Sequence, residues 1–154
     1  MDTFRVLQID HVELFVPDRY AAAEWYRRVL GFQIIREFEM WATPGGGPLM
    51  ISTDNGGTKL ALFEGEPQGA RPTAGFSRVA FRAGAEGFIT FVRRLEELPV
   101  TDHEGRQVTA RSVKDHKQAL SIYFSDPYGH RLEVTTYDHE AARSALGDWQ
   151  RHAR

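Results

Sequence analysis

The stretch SIYFSDPYGHRLE, residues 121–133, carries the pattern from which the rest of the chain is read. Asp126-Pro127-Tyr128-Gly129 is a turn tetrad, and on either side of it apolar and polar residues alternate as along a half-buried strand. Extended outward, Ala119–Ser125 and Arg131–Tyr137 are predicted strands. Upstream, Gln107–Val113 and Ser77–Ala83 read as two more. Between those, Glu86–Leu98 reads as an amphipathic helix with Phe88, Phe91, Val92 and Leu95 along one stripe. The order is βαβββ, and the C-terminal stretch from Asp138 is expected as a helix.

The same order occurs earlier. Gly129-His130-Arg131-Leu132-Glu133 lies over Gly57-Thr58-Lys59-Leu60-Ala61, and Arg78-Val79-Ala80-Phe81-Arg82 over His11-Val12-Glu13-Leu14-Phe15, with the alternation of faces kept. Identity between the halves is low, so the repeat is structural, inferred from order and period. In the first half Gln8–Val16 is a predicted strand, and Asp18 is the N-cap of a helix over Ala21–Leu30 that Gly31 ends. Strands over Phe32–Ala42, Leu49–Thr53 and Lys59–Glu64 follow, separated by Gly45-Gly46-Gly47 and Gly56-Gly57. Residues 65–75 carry no periodicity and read as a linker.

The fold class is therefore α+β: two βαβββ modules, about 7–65 and 76–137, in one domain with a C-terminal extension over 138–154. Each module has a helix-facing side and a mixed polar side, so pairing them would curve the sheets around a cup where ligand chemistry belongs.

Bulk properties narrow the function. The 154 residues are 42% hydrophobic and 26% charged, a globular composition. A net charge of -2 gives no basic field for nucleic acid. Neither a membrane span nor a secretory leader is read from the sequence, so a cytoplasmic protein without a membrane role is expected. With no cysteine, disulfides, thiolate metal sites and a cysteine nucleophile are excluded.

From about Gln8 to Tyr137 the chain resembles the vicinal oxygen chelate superfamily, the glyoxalase, bleomycin-resistance and extradiol dioxygenase group. Three stretches carry the resemblance: Ile9-Asp10-His11-Val12, Trp25-Tyr26-Arg27-Arg28-Val29-Leu30-Gly31-Phe32, and residues 121–133 with their Asp-Pro-x-Gly turn. It implies paired βαβββ modules, a small-molecule ligand held in the cup, and a homodimer. It leaves the chemistry open, because the group spans isomerases, epimerases, dioxygenases, thiol transferases acting on fosfomycin and metal-free antibiotic-binding proteins.

The resemblance also implies metal ligands on the first and last strands of each module, which here are His11, Ala61, Arg78 and Glu133. His11 and Glu133 suit a divalent metal such as manganese, iron, nickel or zinc. Ala61 offers nothing, and the guanidinium of Arg78 has no lone pair to donate. Arg78 is expected instead to pair with Glu133, replacing the metal's charge.

Glu13, Lys59, Ser121 and Tyr123 share the cup-facing parity and are candidate substrate contacts, as are the aromatic walls Phe15 and Phe63, with Trp41 beside them. Each has a plainer reading as a structural or core residue. His116, on the Asp115-His116-Lys117 turn, reads first as a solvated loop residue and second as a group folded over the cup.

Three functions follow. In the first the chain is an enzyme of lyase, isomerase or dioxygenase type: His11 and Glu133 handle protons or hold a weak metal, and Arg78 steadies an anionic oxygen. In the second it is a metal-free protein that sequesters an aromatic or antibiotic-like molecule. In the third the cup is collapsed by the Arg78–Glu133 pair and the chain is an interaction module.

Overall fold

The computed structural model describes residues 4, 5, 7–66 and 76–152. The chain divides into two compact units, Met1–Pro72 and Thr73–Arg154. The linker expected over 65–75 falls, from residue 67 on, outside the described residues.

The first unit runs β1 (His11–Val16), α1 (Arg19–Leu30), β2 (Gln33–Ile34), β3 (Leu49–Ser52) and β4 (Lys59–Glu64). The sheet order is β1-β4-β3-β2, with β1 and β4 parallel and the other pairs antiparallel. Helix α1 starts where the sequence supplies an acceptor: the Asp18 carboxylate takes the N–H groups of Tyr20 and Ala21 at 2.9 and 3.0 Å. It ends at Gly31 in the left-handed region, φ 78, whose N–H bonds back to the Arg27 carbonyl. Ala22, Tyr26 and Val29 on one face of α1 are buried, as are Leu14, Val16, Leu49, Ile51, Leu60 and Leu62 of the strands.

The second unit repeats this with β5 (Val79–Arg82), α2 (Ala85–Arg94), β6 (Lys114–Asp115), β7 (Leu120–Ser125), β8 (Arg131–Thr136) and then α3 (His139–His152). Its order is β5-β8-β7-β6, again with the first and last strands parallel. Phe88, Phe91 and Val92 of α2 are buried, as are Leu120, Ile122, Phe124, Leu132 and Val134. Gly84 cannot cap α2 with a side chain; Asp138 does so instead, its Oδ2 accepting from the Ala85 N–H at 3.2 Å. The Asp126 carboxylate accepts from the N–H groups of Tyr128 and His130, and Gly129 turns with φ 93. The turn from which the chain was read is therefore built as its residues demand.

Two predicted strands are corrected. Phe32–Ala42 pairs only over Gln33–Ile34 and then coils as a 3-10 turn over Arg36–Trp41. Three-residue spacing wins there: Arg36 bonds Glu39 at 2.8 Å, and Phe38 stacks on Trp41 with centroids 4.5 Å apart, contacts an extended chain would lose. Gln107–Val113 likewise gives a 3-10 turn over Ala110–Ser112, where Thr109 and Ser112 form a capping box and only Lys114–Asp115 pairs as β6.

Buried Arg19 holds the loop after the first of these turns. Its Nη1 donates to the Gly47 carbonyl at 2.6 Å and its Nη2 to the Thr43 carbonyl at 3.0 Å. Its Nε lies 3.3 Å from Glu64 Oε1 but out of line for a hydrogen bond. Among the described residues no helix is long and apolar enough to cross a membrane.

Candidate functional site

Each sheet has a face opposite its helix, and the expected site residues of the strands lie on these two faces, where Ala61 and Ser121 are buried and His11 and Glu13 exposed. In the first unit the β1–β4 register sets His11 beside Lys59, Glu13 beside Ala61 and Phe15 beside Phe63. His11 Nδ1 is 2.7 Å from Asp10 Oδ2, and His11 Nε2 is 3.5 Å from Glu13 Oε1. Lys59 Nζ contacts the second Asp10 oxygen at 2.9 Å and donates to the Gly56 carbonyl at 2.6 Å. Asp10 therefore links an imidazole to an ammonium, and the His11 bond, then Lys59, holds its carboxyl below the ordinary value. Phe15 and Phe63, both half-buried, tilt together with centroids 5.8 Å apart.

In the second unit Ala80, Glu133 and Tyr123 form one cross-strand row, with Glu133 partnered by Ala80 on one side and Tyr123 on the other. Directly opposed residues of neighbouring strands have Cβ atoms about 5 Å apart. Arg78, two residues before Ala80, lays its guanidinium over the Tyr123 ring, Cζ 4.6 Å from the centroid. The Tyr123 hydroxyl is 2.8 Å from His116 Nε2.

The expected Arg78–Glu133 ion pair is not formed; the cation lies on the tyrosine ring instead. A guanidinium loses less hydration over a ring face than an ammonium does, and it reaches the ring past β8, the strand between β5 and β7. Glu133, half-buried, stays in the row between Ala80 and Tyr123. With the pair absent, a cup collapsed by it loses its physical basis.

Ser121, expected at a ligand, is only 1% exposed, and its hydroxyl donates to Thr135 Oγ1 at 3.0 Å. His116 makes the ring contact that the solvated-loop reading passed over. Its signal was its place one turn before β7, since a hairpin that short returns over its own second strand. Asp10, read as part of the strand Gln8–Val16, was missed: the strand begins at His11, and a bridge to Lys59 across 49 residues leaves no mark in the local alternation. A hollow of about 280 Å³ lined by Gln33, Ile34, Arg36, Ser52 and Asn55 contains none of the expected site residues.

The donor set does not fit a divalent centre with three protein ligands. At two of the positions where the resemblance implies ligands, Arg78 has no lone pair and Ala61 has no donor atom. Among the described residues no three His, Asp or Glu side chains gather as a metal-holding group.

Known proteins bear on this geometry. A family model for the Glyoxalase/Bleomycin resistance protein/Dioxygenase superfamily matches residues 8–134. Metallothiol transferase FosB of Staphylococcus haemolyticus (strain JCSC1435) is 33% identical over 130 residues, covering 83% of this chain and 82% of the relative. FosB of Staphylococcus epidermidis is 32% identical over 130 residues, with the same coverage. Among solved structures, Oxidase ChaP-H2 superposes with a TM-score of 0.58 at 24% identity, covering 86% of this chain and 94% of that one. A mutant of the fosfomycin resistance protein FosX from Listeria monocytogenes, complexed with Mn(II) and 1S,2S-dihydroxypropylphosphonic acid, gives 0.62 at 16% identity, covering 89% and 97%. The structural likenesses carry the fold: two four-stranded mixed sheets with flanking helices. With the family model spanning most of its length and FosB relatives identical at a third of positions, the chain belongs to the Glyoxalase/Bleomycin resistance protein/Dioxygenase superfamily.

Proposed function

We propose that this protein is an enzyme acting on a small oxygenated anion, of phosphonate or carboxylate type, by side-chain proton transfer, with a degenerate metal site in which Arg78 supplies the positive charge. The observation that carries this reading is Arg78 laid over Tyr123 in the row that holds Glu133. A permanent cation, a phenol and a carboxylate on one sheet face can bind an anionic oxygen and exchange a proton beside it. The FosB relatives, named as metallothiol transferases, support a small substrate and group-transfer chemistry.

On the first unit, His11 is a second proton-handling group. Asp10 at Nδ1 orients the ring and leaves Nε2 toward Glu13, where it can take or give a proton. Glu13 and Lys59 supply polar contacts, and Phe15 and Phe63 an apolar wall. A homodimer belongs to the same reading, supported by Phe4, Leu7 and Ile9 standing exposed ahead of the edge strand β1. Light scattering tests it.

The function is tested with fosfomycin, a phosphonate epoxide, followed by phosphorus NMR with L-cysteine or water as nucleophile, in chelator and in manganese. Calorimetry with methylphosphonate runs alongside. Binding in chelator that Arg78→Ala abolishes is the expected result. Binding that requires manganese and survives Arg78→Ala overturns the reading.

The second reading, a metal-free sequestering protein, is favoured by the half-buried Phe15–Phe63 pair, which offers a planar ligand an aromatic wall. Planar aromatics that bind without turnover of any tested substrate select it.

A further inference from the structure

The β6–β7 hairpin is gripped from two sides. From α3, Arg143 Nε donates to Asp115 Oδ2 at 2.8 Å, and its Nη2 donates to Asp115 Oδ1 and to the Lys117 carbonyl, both at 3.0 Å. Asp115 Oδ1 also accepts from the Lys117 N–H at 2.8 Å, and Lys117 turns the chain in the left-handed region with φ 71. The His116 N–H bonds the Ala119 carbonyl at 2.9 Å, closing the turn. From the strand side, the His116 ring stands nearly perpendicular to Tyr123, 77° between planes, with Nε2 on the hydroxyl.

A half-buried tyrosine with no partner at its ring or oxygen would sample several side-chain rotamers and a freely turning hydroxyl. Here the ring has a guanidinium on its face and an imidazole nitrogen at its oxygen. The imidazole is itself fixed, because its backbone belongs to a turn that Arg143 ties to a helix.

We propose that His116 is a positioning residue, held by the Arg143–Asp115 clasp, that fixes the ring and hydroxyl of Tyr123 beneath Arg78 and so presets how the second sheet meets an anionic ligand. The anion half of this inference rests on the function proposed above; the positioning half does not. Arg143 acts through the hairpin, His116 through the phenol, and only Tyr123 and Arg78 meet the ligand. Prepaying the ordering of Tyr123 tightens binding without adding a contact.

The test uses the full chain labelled with carbon-13 at the tyrosine Cζ, the Tyr123 resonance being the one that Tyr123→Phe removes. His116→Ala and Arg143→Ala are expected to move that resonance and broaden it. His116→Gln, which keeps a nitrogen able to reach the hydroxyl, is expected to restore part of the shift. Inorganic phosphate should perturb the resonance in the parent protein and bind about fivefold to tenfold more weakly to both alanine variants, the effect of one lost hydrogen bond. Circular dichroism and melting establish that each variant is folded. An unmoved resonance in folded His116→Ala or Arg143→Ala overturns the proposal. Resonances that respond as expected while phosphate perturbs none of the proteins uphold the positioning role and reject the anion reading instead.

Discussion

Arg78 stands where the resemblance implies a metal ligand, and the structure gives it a use of its own over Tyr123. Arg78→His removes the cation and supplies an imidazole lone pair, so manganese affinity measured by calorimetry should rise above that of the parent protein. No gain would mean that arginine is not what spoils the donor set. Gly47 is a second single-residue constraint. Its φ of 84 is strained for any other residue, and an added methyl would press on the Trp41 carbonyl. Gly47→Ala should therefore cost about 1–3 kcal/mol, read as a fall in the urea midpoint. Arg19, only 5% exposed, joins the same loop to α1 through two carbonyls. Lysine cannot reproduce that fork, so Arg19→Lys should loosen the loop, seen as faster hydrogen exchange over 43–47.

Among the elements, the β6–β7 hairpin depends on a charge. The Arg143 guanidinium, helped by the Lys117 N–H, holds the Asp115 carboxyl down at about 2 from an ordinary 3.8. Asp115 thus releases its proton more readily folded than unfolded. Its contribution is complete above pH 3.8, declines as the pH falls, and is gone below about 2. His139 and Glu140 of α3 also face this pair, so Arg143→Met is the control. The parent hairpin should open between those two pH values, followed through the Tyr123 resonance, and the variant should show no such step. Helix α1 offers a simpler case: Asp18→Ala removes an acceptor for two N–H groups and should cost about 1 kcal/mol. The misread stretch at Phe32–Ala42 belongs at this scale too. Its alternation is real, but Phe38 with Trp41 and Arg36 with Glu39 satisfy a turn better than a strand.

At the scale of the molecule, the same βαβββ unit is built twice, and each unit's stability lies between its helix and the helix-facing side of its sheet. Ile122 of β7, fully buried, is representative: Ile122→Ala should cost about 2–5 kcal/mol in thermal or urea unfolding. The element order, the Asp18 and Gly31 helix ends and the Asp126-Pro127-Tyr128-Gly129 turn were all legible in the sequence. So was the alternation that sets His11, Glu13 and Lys59 on one face of the first sheet and Tyr123 and Glu133 on one face of the second. These follow from local rules, since period, capping and turn chemistry act over a few residues and leave their mark in adjacent letters. Partner choice is different. That Arg78 takes the Tyr123 ring rather than Glu133, that Asp10 bridges His11 and Lys59, and that Arg143 places His116 are decided by distances between residues far apart in the chain. The sequence by itself determined which side chains share a face of each sheet. Only the tertiary structure decided which of them touch, because a cation among several acceptors settles where packing and desolvation favour it, and no spacing encodes that balance.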